Sequence, residues 1–159
     1  MSRSRQTVPS AMARALDEAA AGAENGELPV GAVLTDGAGA VLAVSGNRVE
    51  RDRDTTAHAV MLVLRAGAAA LGLKRLADCD LYVTLEPCPM CAAAIALARI
   101  RRLYFAAYDP KGGGIEHGPR IFDQPTCNHR PEIYGGIAER PAADLLRKFF
   151  LQRRAGQSL

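Results

Sequence analysis

The chain has 159 residues, of which 48% are hydrophobic, enough for one domain with a single buried core. Its longest apolar runs, such as residues 92–100, are far shorter than a membrane span, and no signal-peptide pattern is present, so we expect a cytoplasmic protein without a membrane segment. Four cysteines without a secretory signal favour a metal or redox site over disulfides, and a net charge of +3 decides nothing about a nucleic-acid partner.

The first predicted elements are a leader and a helix. Residues 1–9 are polar and basic, and we predict that they form a flexible leader before an N-cap at Ser10. The alanine-rich residues 11–27 then predict a helix that stops near Gly26.

Strands and helices alternate along the rest of the chain. The first two strands flank the turn sequence DGAG, which is typical of a hairpin. Alternation after a hairpin predicts a five-stranded mixed sheet with helices on both faces, an α/β fold of three layers (α/β/α), in one domain of residues 10–155 before a flexible tail, 156–159. The predicted strands are residues 29–35, 40–46, 79–85, 101–108 and 132–137, and the predicted helices are 56–72, 88–100 and 140–154.

Three potential metal ligands lie at the starts of two predicted helices. His58 follows Thr55 and Thr56, either of which we expect to open its helix, and Cys88 and Cys91 form a C-x-x-C pair at the next one. Because both helices follow a strand or a loop, their N-termini can converge at one edge of the sheet. One imidazole and two thiolates suit a tetrahedral zinc ion with an open fourth position.

Two alternatives to an open zinc site remain at this point. The long Gly- and Pro-rich loop of residues 109–131 could close the site with Cys127, His117 or His129. A closed site, however, does not explain a histidine at a helix start. A bare redox C-x-x-C pair would leave His58 without a role, so the open site is favoured.

From residue 11 to residue 154 the sequence resembles the bacterial tRNA-specific adenosine deaminases of the cytidine deaminase-like superfamily. The stretches that carry the resemblance are GELPVGAVL, GNR, TAHA, LYVTLEPCPMCAAAI, DPKGG, NHRPEI and LLRKFFLQRR. The resemblance implies a cytidine deaminase-like fold, one Zn²⁺ per chain on the three ligands, a homodimer, and deamination of the wobble adenosine in a tRNA anticodon stem-loop. It also implies substrate contacts from Asn47, from the backbone near Ala59 and from Glu27 and Val30.

The sequence departs from the family at Val60, where the resemblance implies a proton-transferring glutamate. We considered two substitutes. Glu86 belongs to the family's own TLEPC stretch and is expected to support the site or cap a helix, and Glu116 could reach inward only if its loop rearranged. General acid–base assistance is worth about 10²- to 10⁴-fold in rate, so the chain as written is expected to be nearly inactive.

Three explanations of Val60 are open: an engineered inactive variant, a natural pseudoenzyme, or an evolved variant with altered chemistry. Because every other motif residue is present, we favour a single introduced change in a working enzyme.

The C-terminal segment is expected to hold RNA. From Arg130 onward the chain has six basic and three acidic residues. We predict phosphate contacts from Lys111, Arg153 and Arg154, and we give equal weight to core packing and base stacking for Phe149 and Phe150. Two other functions remain open. One is deamination of a free base or nucleoside of the guanine or cytosine type, and the other is RNA binding by a pseudoenzyme with structural zinc.

Overall fold

The computed structural model describes residues 8–157, except the side chain of residue 157. Residues 1–7 of the predicted leader and 158–159 of the predicted tail lie outside this range. The helices are α1 (Ser10–Glu24), α2 (Val49–Asp52), α3 (Ala59–Leu71), α4 (Pro89–Ala98) and α5 (Glu139–Gln157), and a short 3-10 helix spans Ile121–Asp123. The strands are β1 (Gly31–Thr35), β2 (Val41–Gly46), β3 (Asp80–Leu85), β4 (Arg102–Ala107) and β5 (Glu132–Tyr134).

The five strands form one mixed sheet in the order β2-β1-β3-β4-β5. β1 pairs antiparallel with both β2 and β3, whereas β3, β4 and β5 run parallel. Helices α1 and α5 pack on one face, and α3 on the other with α4 beside it. The predicted three-layer α/β/α architecture with a five-stranded mixed sheet is confirmed.

The central strands are apolar because both of their faces are covered. All five residues of β1 are buried, which is the pattern expected for a strand between two helical layers. The larger core contains Leu34, Phe105 and Ile95 under α3 and α4, and the smaller one contains Met12 under α1. At Gly31 a Cβ atom would lie 2.0 Å from the carbonyl oxygen of Ala15, so glycine lets α1 approach the sheet closely.

Several predicted boundaries are wrong by a few residues. The N-cap of α1 is Pro9 and not Ser10, which is the first helical residue. Helix α2 was not predicted, and α5 continues to Gln157, two residues into the segment that we expected to be a tail. The capping residue of α3 is His58, because Thr56 instead donates hydrogen bonds to Asp54 through its backbone N–H and its hydroxyl. None of the helices within residues 8–157 combines the length and apolar content that a membrane span requires.

Candidate active site

The three predicted metal ligands meet at the N-termini of two helices. His58 is the N-cap residue of α3 and Cys88 that of α4, each in extended backbone conformation, and Cys91 lies in the first turn of α4. Pro89 is the first residue of α4, a position that needs no backbone N–H donor. The N-termini of α3 and α4 therefore bring one imidazole and two thiols together.

The distances among these ligand atoms fit a tetrahedral zinc ion. Nδ1 of His58 lies 3.6 Å from Sγ of Cys88 and 3.5 Å from Sγ of Cys91. Zinc bonds of ordinary length at the tetrahedral angle would separate a ligand nitrogen from a ligand sulfur by about 3.6 Å. The geometry thus fits a zinc ion on these three residues. When bound with its fourth position open, such an ion supplies an activated water.

The hydrogen bond between the two thiols favours a thiolate at Cys88, whereas the same bond and burial raise the pKa of Cys91. Hydrogen bonds from Cys91 and from His58 lower the pKa of Cys88 to about 4. The same hydrogen bond with Cys88 raises the pKa of His58, although burial opposes it. A deprotonated sulfur is the form that binds zinc.

The residues proposed to close the site are held elsewhere. His129 Nε2 donates a hydrogen bond to the carbonyl oxygen of Ile100 at 2.7 Å, and Cys127 donates one to the carbonyl oxygen of His129 at 3.2 Å. His117 pairs with Glu86 at 2.8 Å. Within the described part of the chain, the group of potential metal ligands consists of His58, Cys88 and Cys91 alone. The structure therefore supports the open site.

A cavity of about 360 Å³ opens beside the three ligands. Val60 lies in its wall and is only 3% exposed, so an apolar branch occupies the position where the family resemblance implies a carboxylate. The predicted site residues that line the cavity are Glu27, Val30, Asn47, His58, Ala59, Val60, Cys88, Cys91 and Arg153.

Two of the predicted substrate contacts also hold the cavity wall. Oδ1 of Asn47 accepts a hydrogen bond of 2.8 Å from the backbone N–H of Ala59, which fixes the start of α3. Both carboxylate oxygens of Glu27 accept hydrogen bonds from backbone N–H groups of α2, at Glu50 (2.8 Å) and Arg51 (3.3 Å). Glu27 therefore lies in the cavity wall, and its carboxylate caps α2; a substrate contact from it stays a prediction.

Glu86 is not available as a substitute base. Its carboxylate is buried and accepts hydrogen bonds from the backbone N–H groups of four loop residues, and Oε1 also pairs with the His117 ring. Burial alone would raise the pKa of Glu86, but the hydrogen bonds from His117 and the loop backbone outweigh it and lower that pKa. Glu116 is exposed and does not line the cavity. The four backbone donors are those of Asp109, Ile115, Glu116 and His117.

A second groove of about 500 Å³ adjoins the cavity and contains three of the predicted RNA contacts. Lys111, Phe150 and Arg154 line it, and it shares Leu28 and Asp109, among others, with the cavity. Tyr108, which was not predicted from the sequence, also lines the groove and is 40% exposed. Its place directly before the DPK segment was the available signal.

The two adjacent phenylalanines have different environments. Phe150 is 48% exposed in the groove, whereas Phe149 is 6% exposed. Of the two roles weighed equally for Phe149, its burial favours core packing over base stacking, whereas an RNA contact of Phe150 stays a prediction. Arg153 lies over the Phe149 ring and lines the cavity rather than the groove.

We expect Cys91→Ser to reduce the zinc content from one ion per chain to well below half. Serine is a poor zinc ligand, and two remaining ligands hold the ion weakly. Cys79→Ser is the matched control, since Cys79 is a buried thiol outside the cluster. Atomic emission after dialysis measures the zinc content of both variants. One zinc ion per chain in the Cys91 variant would contradict the assignment of Cys91 as a ligand.

Comparisons with known proteins agree with this site. The model of the cytidine and deoxycytidylate deaminase zinc-binding region matches residues 5–107. The chain is 55% identical to the tRNA-specific adenosine deaminase of Agrobacterium fabrum, over 90% of this chain and 93% of that protein. It is 41% identical to the tRNA-specific adenosine deaminase of Bacillus subtilis, over 90% of this chain and 88% of that one.

Solved structures agree as well. One from a study of A-to-I editing by tRNA:A34 deaminases at the wobble position is 55% identical, with a TM-score of 0.84, and covers 86% of this chain and 98% of its own. The guanine deaminase of Bacillus subtilis, at 30% identity and a TM-score of 0.62, shares the fold over 93% of this chain and 94% of its own. Zinc ligands, fold and relatives thus agree, and the chain belongs to the tRNA-specific adenosine deaminases of the zinc-binding cytidine deaminase family.

Proposed function

We propose that this protein takes the wobble adenosine of a tRNA anticodon stem-loop into its zinc cavity as a hydrolytic deaminase, with chemistry that Val60 severely limits. The observation that carries the proposal is the continuity between the three-ligand cavity and a groove with exposed aromatic and cationic side chains. A flipped base fits the cavity, and the neighbouring nucleotides need stacking surfaces and phosphate partners. The names of the relatives support the same substrate.

The residues of the cavity bind the base but do not move its protons. Asn47 uses its side-chain oxygen on Ala59, which leaves its amide group for the substrate. Position 60 lies one residue after Ala59, at the start of α3, and valine there can neither accept nor deliver a proton. The chemical step therefore lacks its proton carrier.

No other carboxylate of the cavity takes the place of that carrier. Glu27, Glu86 and Asp109 line the cavity, but each accepts hydrogen bonds from backbone N–H groups. Glu50 also lines the cavity, but it is an exposed residue of α2. Val60 is buried, so the two positions are not equivalent. We therefore expect a nearly inactive site with an intact binding cavity.

Electrophoretic mobility-shift titration with an anticodon stem-loop tests the substrate. We expect binding that weakens when the loop sequence is replaced and the stem is kept, because the loop nucleotides occupy the cavity and groove. Absence of binding, or binding indifferent to the loop, would instead favour deamination of a free base or nucleoside.

We also propose a homodimer that uses the outer face of α4. Leu97 is 76% exposed and lines a mainly apolar depression of about 270 Å³ with Ala93 and Ile121. We expect Leu97→Glu to shift the mass measured by light scattering from dimer to monomer, because it places a charge on an apolar contact. Leu73→Glu is the control, because Leu73 is also an exposed leucine, at 56%, but does not line this depression. A parent protein that is monomeric at micromolar concentration would contradict the proposal.

A further inference from the structure

Arg153 differs from the other two predicted phosphate contacts, Lys111 and Arg154, because it lines the cavity beside the zinc ligands. Within residues 8–157 it is the only arginine or lysine that lines this cavity, whereas Lys111 and Arg154 line the adjacent groove. No carboxylate in the described part of the chain forms an ion pair with it. Its guanidinium donors are therefore free for an anionic ligand at the cavity.

The guanidinium of Arg153 lies over the ring of Phe149. The two residues are four positions apart on α5, a spacing that places them on the same side of a helix. Cζ of Arg153 lies 5.3 Å from the centroid of the Phe149 ring, within the range of a cation–π contact. Because the ring is 6% exposed, it is fixed by its surroundings while the arginine remains solvent-accessible.

An exposed arginine on a flexible stem loses conformational freedom when it binds a phosphate. A fixed aromatic face beneath the guanidinium reduces that loss, because it favours one direction of the side chain before the ligand arrives. Arg154, one residue further along the helix, makes no cation–π contact with a ring of the described residues. The two neighbouring arginines are thus held differently.

We propose that Phe149 is a positioning residue that orients Arg153, so that its guanidinium binds the backbone phosphate of the nucleotide whose base enters the zinc cavity. The inference rests on the proposed function, since it needs an RNA substrate. Phe149 acts through Arg153 and does not touch the base. The role differs from core packing alone, because its effect on RNA binding disappears when Arg153 is absent.

Double-mutant cycles on stem-loop affinity test this dependence. We expect Arg153→Gln to weaken binding about tenfold, the loss of one charge-assisted contact, and Phe149→Leu to weaken it about two- to fivefold. The double variant should match Arg153→Gln alone. In contrast, the fold-losses in affinity caused by Phe149→Leu and by Arg154→Gln should multiply in the variant that combines them. Phe149→Tyr keeps the ring face and should retain the parent affinity, which separates positioning from any loss of folding in the leucine variant.

Two further measurements separate this inference from the proposed function. With a stem-loop that carries a neutral methylphosphonate beside the target nucleotide, Arg153→Gln and Phe149→Leu should have almost no effect on binding affinity. In the free protein, the Nε–H proton resonance of Arg153 should show a ring-current shift that Phe149→Leu removes and Phe149→Tyr keeps. Multiplying losses for Phe149→Leu and Arg153→Gln, or an unshifted resonance with normal RNA binding, would overturn this inference alone. A parent chain that binds no stem-loop would overturn the proposed function and this inference together.

Discussion

Replacing Val60 with glutamate is expected to raise the single-turnover rate of inosine formation at the wobble adenosine by about 10⁴-fold, the upper end for one general acid–base group. The position lines the cavity beside the zinc ligands, and a cavity of about 360 Å³ leaves room for the longer side chain. A carboxylate there can take and return protons, which no present group in the cavity wall does. Mass spectrometry of the digested stem-loop measures the product.

Val60→Gln is the matched control for this result. Glutamine has the size and polarity of glutamate but cannot transfer a proton, so we expect it to stay within about tenfold of the parent rate, far short of the glutamate variant. Equal gains for both variants would mean that space or polarity at position 60 was limiting. A glutamate variant that keeps its zinc and still forms no inosine would favour an RNA-binding pseudoenzyme with further defects.

Loss of the Glu86 carboxylate is expected to have the largest effect on stability. Glu86→Ala leaves four backbone N–H groups of the loop from Asp109 to His117 without their acceptor. The hydrogen bond of Ile115 is buried and the other three are partly buried, and a buried donor without a partner costs about 1–3 kcal/mol, less where water can reach it. We therefore expect a loss of about 3 kcal/mol in the free energy of unfolding, measured by urea denaturation.

The control for Glu86 is Asp109→Asn. Asp109 also organises the loop, through hydrogen bonds from the backbone N–H groups of Lys111 and Gly112, but these residues are exposed and asparagine keeps the acceptor. We expect it to change stability by less than about 0.5 kcal/mol. A similar small loss for Glu86→Ala would show that the buried carboxylate does not hold the loop.

Elements with a strong apolar pattern could be predicted from the sequence, and elements that depend on distant partners could not. The buried strands and the two zinc-binding helices follow from runs such as those of β1, β3 and α4. Helix α2 has only four residues, too few for a periodic pattern. Its N–H groups are capped by Glu27, which lies more than twenty positions earlier in the chain. Only the tertiary fold brings that acceptor to it.

The metal ligands could be predicted because their signals lie within short stretches of sequence: the C-x-x-C spacing and the positions at helix starts. A supporting role of Glu86 was expected, but the backbone groups that it holds could not be predicted, because they belong to a Gly-rich loop distant in sequence. The different environments of Phe149 and Phe150 could not be predicted from helical spacing, because both lie one turn after the partly buried Leu146, at three and four residues. Only the fold shows that Phe149 is buried and Phe150 exposed.

The central claim is that Val60 removes the chemical step and leaves RNA capture intact. It is tested most directly by titrating one labelled anticodon stem-loop with this chain and with its Val60→Glu variant, at one salt concentration and with zinc content matched. The variant should be titrated on a stem-loop with a non-reactive purine at the wobble position, and the parent on the same RNA. Asn47, the backbone at Ala59 and the groove are the same in both proteins, so we predict dissociation constants within about tenfold, roughly 1.4 kcal/mol. A loss of more than tenfold in the valine protein would contradict the claim and show that position 60 also serves recognition.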